Sequence, residues 1–218
     1  MAPCAPTKIV CVGKNYYDHA VEMGDGVPER PILFLKAPNT LNRPEGEVHA
    51  PAFVGRLDAY KQPLDLVPLL QAAPDWYAVI IGQGAQSDEL ARRLTEAGLM
   101  GRCRLIPQLP NAQVHIYYHA CNAFVNLNEN EIFGMSLLEA MYAGCPPVAR
   151  HAPGPDLIIE NGISGYLCDT VAEMAAALDK TTDAMGHAAQ NRVNEHFLWQ
   201  NSAELALTLL PKQGKTNG

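Results

Sequence analysis

Short apolar runs alternate with helical patterns from Ala52 onward, and no other feature narrows the fold as far. Strands are read at Ala52–Leu57, Tyr77–Ile81, Arg104–Ile106, Ala123–Leu127, Pro147–Ala149 and Tyr166–Cys168. Helices are read at Leu64–Ala72, Ser87–Ala97, Ala112–His119, Leu137–Ala143, Asp156–Glu160, Val171–Leu178, Asp183–Val193 and Ser202–Leu210. This alternation predicts an α/β fold, a Rossmann-like parallel sheet with helices on both faces. Gly82, Gly84, Gly98 and Gly144 stand at the joints, where positive φ costs a glycine little. Ligands of such sheets sit beyond the carboxyl ends of the strands, so the loops after Leu57, Ile81, Ile106, Leu127 and Ala149 are the places to search.

The chain divides near Ala50–Pro51. Residues 1–51 hold a strand-like run at Lys8–Gly13, an amphipathic stretch at Tyr17–Met23 and a second run at Pro31–Lys36. Ala37–Pro51 reads as loop because Pro38, Pro44, Gly46 and Pro51 punctuate it. So few residues bury no core of their own, and a short β-rich extension of residues 52–218 is expected.

Composition removes several classes of function. Hydrophobic residues are 48% and charged residues 18%, which is globular rather than disordered. A net charge of −7 argues against a nucleic-acid surface, which usually carries a basic face. The apolar runs are too short for a membrane span, and Met1–Lys8 lacks the blocks of a secretory signal, so a cytoplasmic protein without transmembrane segment is expected. The six cysteines are scattered with no C-x-x-C pair, so neither a disulfide framework nor a zinc site is expected.

The loop after Leu127 carries the first chemistry. Gly134 precedes a helix whose first N–H groups, at Met135, Ser136 and Leu137, would point at the strand ends. Such unpaired donors, at the positive end of a helix dipole, form an anion site. Glu131 lies before the helix and Glu139 within it, so they can address opposite ends of one ligand. Ser136 with Glu139 also has the S-x-x-E spacing of a capping box, which needs no ligand. Both readings of Glu139 stand at this point.

A second piece is Gly55-Arg56-Leu57 followed by Lys61. A planar fork and a mobile point charge beside one loop suit adjacent phosphate oxygens, although surface cations are usually only solvated. A third, Gly82-Gln83-Gly84, reads as turn chemistry, since it lacks the third glycine of a dinucleotide fingerprint. Together the pieces describe a grip for a nucleotide diphosphate.

In this order, Val54-Gly-Arg-Leu57 with Lys61, and Glu131 to Glu139 running into Ala140-Met-Tyr-Ala-Gly144-Cys-Pro146, resemble the donor-binding C-terminal domain of retaining GT-B glycosyltransferases of family four. Gly154-Pro-Asp156 through Gly165 and Phe197-Leu-Trp199 agree, and the likeness covers about residues 52–210. The resemblance implies one half of a GT-B fold binding a UDP-, GDP- or ADP-sugar. It implies that Arg56 and Lys61 neutralise the diphosphate, helped by Gly55 and the amides of Gly134, Met135 and Ser136. Glu139 would take the ribose, Glu131 the transferred sugar, and Gln108 with Leu109 the base. Transfer would proceed with retention, without cofactor or essential metal. The chain departs from the family pattern at Gln62 (usually Gly), Pro107 (Gly), Asn122 (Asp) and Asn128 (Ser), which bears on donor affinity and base choice.

The front end is similar to something else. Lys8 to Met23 and Pro28 to Lys36 resemble the start of a fumarylacetoacetate hydrolase family domain. That resemblance implies that His19 and Glu22 descend from residues activating water and Lys36 from a substrate contact, with magnesium as that family's metal. The family's metal ligands lie beyond the matched stretch, and Glu45-Gly-Glu47 comes too early to replace them. A hydrolase relic fused to a donor domain is therefore expected, both truncated, whether by nature or by engineering. A partner chain would supply the acceptor-binding half; a non-catalytic nucleotide-binding chimera and a metal-dependent hydrolase are the alternatives.

Overall fold

The computed structural model describes residues 9–13, 32–36, 49–201 and 203. The chain falls into two compact units, Met1–Val48 and His49–Gly218. In the first, β1 (Ile9–Gly13) pairs antiparallel with β2 (Ile32–Lys36), with Ile9 opposite Lys36 and Gly13 opposite Ile32. Both strand-like runs of the sequence are thus strands. The stretch Tyr17–Met23, with His19 and Glu22, and the Glu45–Glu47 segment lie outside the described residues.

The second unit is the Rossmann-like sheet. Its strands are β3 (Pro51–Val54), β4 (Ala78–Ile81), β5 (Cys103–Ile106), β6 (Ala123–Asn126), β7 (Pro147–Arg150) and β8 (Tyr166–Cys168). They are hydrogen-bonded in the order β5-β4-β3-β6-β7-β8, and every pairing is parallel. The helices are α1 (Leu66–Ala72), α2 (Ser87–Glu96), α3 (Asn111–Ala120), α4 (Met135–Tyr142), α5 (Pro153–Ile158), α6 (Val171–Leu178) and α7 (Asp183–His196).

Successive strand residues face opposite ways, and two cores result. Phe53, Ile80, Val125 and Val148 pack with Leu66, Leu69 and Leu70 of α1, Leu90 and Leu94 of α2, and Met174 and Leu178 of α6. Ala52, Ile81, Phe124 and Ala149 pack on the other face with Tyr118 of α3, Leu137 and Met141 of α4, and Ala189 and Val193 of α7. A sheet covered on both faces has strands without polar alternation, and all four residues of β6 are buried.

Boundaries shift where a backbone joint overrides apolarity. β3 ends at Val54, not Leu57, because Gly55 opens a loop held by Gly55 N–H to Ile81 O at 3.0 Å and Leu57 N–H to Gln83 O at 3.1 Å. A side chain on Gly82 would place its Cβ 1.8 Å from Gly55 O, and one on Gly84 would sit 2.3 Å from Leu57 O. The G-x-G turn therefore serves a close backbone approach. Helix α5 begins at Pro153, three residues before the expected Asp156, because proline is pre-shaped for a first helical turn. Most of the expected Ser202–Leu210 helix lies outside the described residues.

The strand order reverses between β3 and β6, the first and fourth strands of the sheet in chain order. Side-by-side strands whose connections leave in opposite directions open a crevice at their carboxyl ends. The two loops singled out by the sequence follow these two strands.

Candidate functional site

The loop after β3 leads through Arg56 to Asp58, which caps a 3-10 turn, Ala59–Lys61, by accepting the Lys61 N–H. That turn aims Lys61 at the neighbouring loop, where Nζ lies 2.5 Å from Glu131 Oε2. The Glu131 side chain is only 9% exposed and that of Lys61 26%, so this is a largely desolvated ion pair. Tyr60 donates its hydroxyl to Asn130 O at 2.8 Å, and its ring lies 5.5 Å from Lys61 Nζ. Arg56 behaves differently. Its side chain is 81% exposed and, among the described residues, pairs only locally, Nε to Asp58 Oδ2 at 2.8 Å.

The residue after Lys61 explains one departure from the family pattern. Gln62 has φ 51° and ψ 43°, a left-handed conformation that glycine adopts at least cost. Its side-chain Oε1 accepts the Glu129 N–H at 2.9 Å, a bond between the same two loops that glycine cannot make. Asn128 likewise bonds within its loop, accepting the Asn130 N–H at 2.9 Å and donating Nδ2 to Glu131 Oε2 at 3.4 Å. Asn122 accepts the Ala50 N–H at 3.1 Å.

Helix α4 starts at Met135 with Gly134 as its N-cap, at φ 99° and without a side-chain cap. Ser136 is therefore the second helical residue, and the capping box it could form with Glu139 is not made. The amides of Met135, Ser136 and Leu137 form the unpaired first turn of α4. The other end is an ordinary stop: Cys145 N–H to Ala140 O at 2.9 Å and Gly144 N–H to Met141 O at 3.0 Å close a Schellman turn. Glu139, one turn into α4, accepts a hydrogen bond from the Tyr118 hydroxyl at 3.4 Å.

Some participants carried no role in the sequence. The Gly154 N–H bonds Glu131 O at 2.8 Å, and a Cβ there would lie 2.2 Å from Phe133 O. Helix α5 thus holds the Glu131–Gly134 loop by its backbone. Arg150, at the end of β7, pairs with Glu129. Gln108 and Leu109 follow β5; Gln108 is exposed, and Leu109 packs partly on the core beside α3. Ile132, Phe133 and Met135 are exposed apolar residues around the start of α4. Among the described residues no group of three or more His, Cys, Asp or Glu could hold a metal. Lys36 is a residue of β2, and His19 and Glu22 lie outside the described residues.

Comparison with known proteins bears on both parts. The fumarylacetoacetate hydrolase C-terminal family matches residues 8–60. Over 34 residues the chain is 59% identical to the mitochondrial oxaloacetate tautomerase of Caenorhabditis elegans, 16% of either protein. The rest is similar to D-inositol 3-phosphate glycosyltransferase of Mycobacterium marinum, 29% identical over 180 residues, covering 76% of this chain and 38% of that one. HepE of Anabaena, solved in complex with UDP, shares the fold with a TM-score of 0.67 at 24% identity, over 74% of this chain and 48% of its own. The chain spans about two fifths of the length of the curated glycosyltransferases it matches, 38% to 43%. The family of glycosyl transferases group 1 matches residues 42–193, more than half of the chain, and the chain belongs to that family.

Proposed function

We propose that the second unit grips a nucleoside diphosphate sugar and forms the donor half of a retaining glycosyltransferase. The observation that carries this reading is the Lys61–Glu131 pair beside the uncapped start of α4, at the reversal point of the sheet. Lys61 and exposed Arg56 offer charge to a diphosphate, and the amides of Gly134, Met135 and Ser136 offer a helix N-terminus. Aimed at a leaving diphosphate, these groups stabilise the negative charge that grows as the glycosidic bond breaks. Gly55 lets the phosphates approach the main chain. In the same reading Glu139 holds the ribose, Glu131 the sugar, and Gln108 and Leu109 the base.

UDP is the first donor nucleotide to test, since HepE was solved with it; GDP and ADP follow. The acceptor-binding half would come from a partner chain or domain, and exposed Ile132, Phe133 and Met135 beside the site favour such a covering surface. Cys103, Cys121, Cys145 and Cys168 are free thiols, which suits the cytoplasm as compartment. Residues 1–51 are read as a truncated hydrolase-type segment. Acyl-pyruvate turnover with magnesium, lost on His19→Ala, would reverse that reading.

A calorimetric panel of UDP-, GDP- and ADP-sugars tests the donor grip. One of them is expected to bind and to raise the melting temperature, and Lys61→Ala to abolish the shift. No binding by any nucleotide sugar would overturn the proposal.

A further inference from the structure

Tyr118 is the largest kind of side chain this core holds without any exposure, and its one polar atom has a single described partner. The ring lies on the inner side of α3, edge-on to Phe124 of β6 with centroids 5.8 Å apart and planes at 72°. Its hydroxyl reaches Glu139 Oε2 on α4 at 3.4 Å. Burial first, and then the nearby Glu139 and Cys145, push the phenol well above its ordinary range, so it stays a neutral donor. A phenylalanine would fill the same volume without burying a hydroxyl, a burial that costs stability unless bonded. The hydroxyl therefore gives something a packed core does not need.

We infer that Tyr118 is a positioning residue that fixes the Glu139 carboxylate for a ribose diol, through its hydrogen bond to Oε2. This rests on the donor reading above and deepens it. A carboxylate has two oxygens and several rotamers. One oxygen tied to a rigid, buried ring leaves the other directed toward the ligand, and holding it there in advance reduces the ordering cost of binding. Tyr118 touches no ligand atom in this arrangement. It acts across the α3–α4 contact.

The test uses the full chain, titrated with UDP, 2′,3′-dideoxy-UDP and inorganic pyrophosphate. The wild-type chain is expected to prefer UDP to the dideoxy compound. Tyr118→Phe is expected to reduce that preference about threefold to tenfold, the range for one hydrogen bond, with pyrophosphate affinity unchanged. In a Glu139→Gln background the same substitution is expected to have no further effect on the preference. An undiminished preference in Tyr118→Phe overturns the inference, and so does an equal loss for all three ligands, which would signal a merely structural role. Where GDP or ADP binds in place of UDP, that nucleotide and its dideoxy form take the same comparison; failure of the wild-type chain to bind any of the three nucleotides overturns the donor reading itself and this inference with it, whereas binding with the preference intact in Tyr118→Phe overturns this inference alone.

Discussion

Lys61 Nζ and Glu131 Oε2 stand 2.5 Å apart although 70 positions separate them in the chain, and the bond ties the loop after β3 to the loop after β6. A buried carboxylate is costly unless paired, so removing only the cation leaves the larger penalty. Lys61→Ala is expected to lower unfolding stability by about 2 kcal/mol, less than for a fully buried pair because Lys61 keeps some contact with water. Glu131→Gln in the same chain is expected to restore most of that loss, yet not nucleotide-sugar binding. Urea denaturation of the two single variants and the double variant gives the coupling directly.

Arg56 should separate the two properties the other way. Its side chain is 81% exposed and, among the described residues, pairs only with Asp58, so Arg56→Ala is expected to change stability by less than about 0.5 kcal/mol. If the guanidinium meets a phosphate, UDP affinity falls about tenfold or more, the scale of a charge-assisted hydrogen bond. Calorimetry at two salt concentrations checks it, because wild-type binding should be the more salt-sensitive.

The sheet was legible because its strands and helices differ in period and are punctuated by glycine. Tyr166–Cys168 and Val171–Leu178 match the structure end to end. Arg56, Lys61, Glu131 and Gly134 were legible as residue types at a spacing, but the Lys61–Glu131 contact was not, since only strand order brings those loops together. Ser136 and Glu139 show the opposite difficulty. Their letters fit a capping box and a ligand site equally, and only the backbone removes the capping box, since Gly134, at φ 99°, occupies the N-cap. Tyr118 looked like any aromatic on a helix, and nothing local assigns its hydroxyl to a residue on the next helix.

Gly154 is such a case, and it yields a prediction of its own. Its N–H bonds Glu131 O at 2.8 Å, and an added Cβ would meet Phe133 O at 2.2 Å, a backbone atom that has no rotamer to yield. Gly154→Ala is expected to push the Glu131–Gly134 segment outward and to weaken UDP-sugar binding more than it weakens the fold. Gly98→Ala is the control, because its Cβ meets nothing within 4 Å and only its φ of +71° opposes the change. That variant is expected to lose about 1 kcal/mol of stability and to keep its affinity. Equal affinities for the two variants would contradict the assigned link between α5 and the loop.

Alkaline stability follows from the thiols. Burial pushes Cys103, Cys121 and Cys168 from 9.0 up to about 11, and pushes the more deeply buried Cys145 well above its ordinary value. Between those two values the folded chain keeps protons that the unfolded chain has released. Their contribution to stability is therefore complete below about pH 9 and is lost as pH rises toward about 11. The melting temperature is expected to fall through that window, with the cysteine thiols as one cause. Cys121→Ala isolates one of them: at neutral pH it costs stability by opening a small cavity, but above about pH 9 its decline should be shallower than wild type. Melting curves from pH 7 to about 11 decide the point, and parallel declines for the two proteins would remove Cys121 from the explanation.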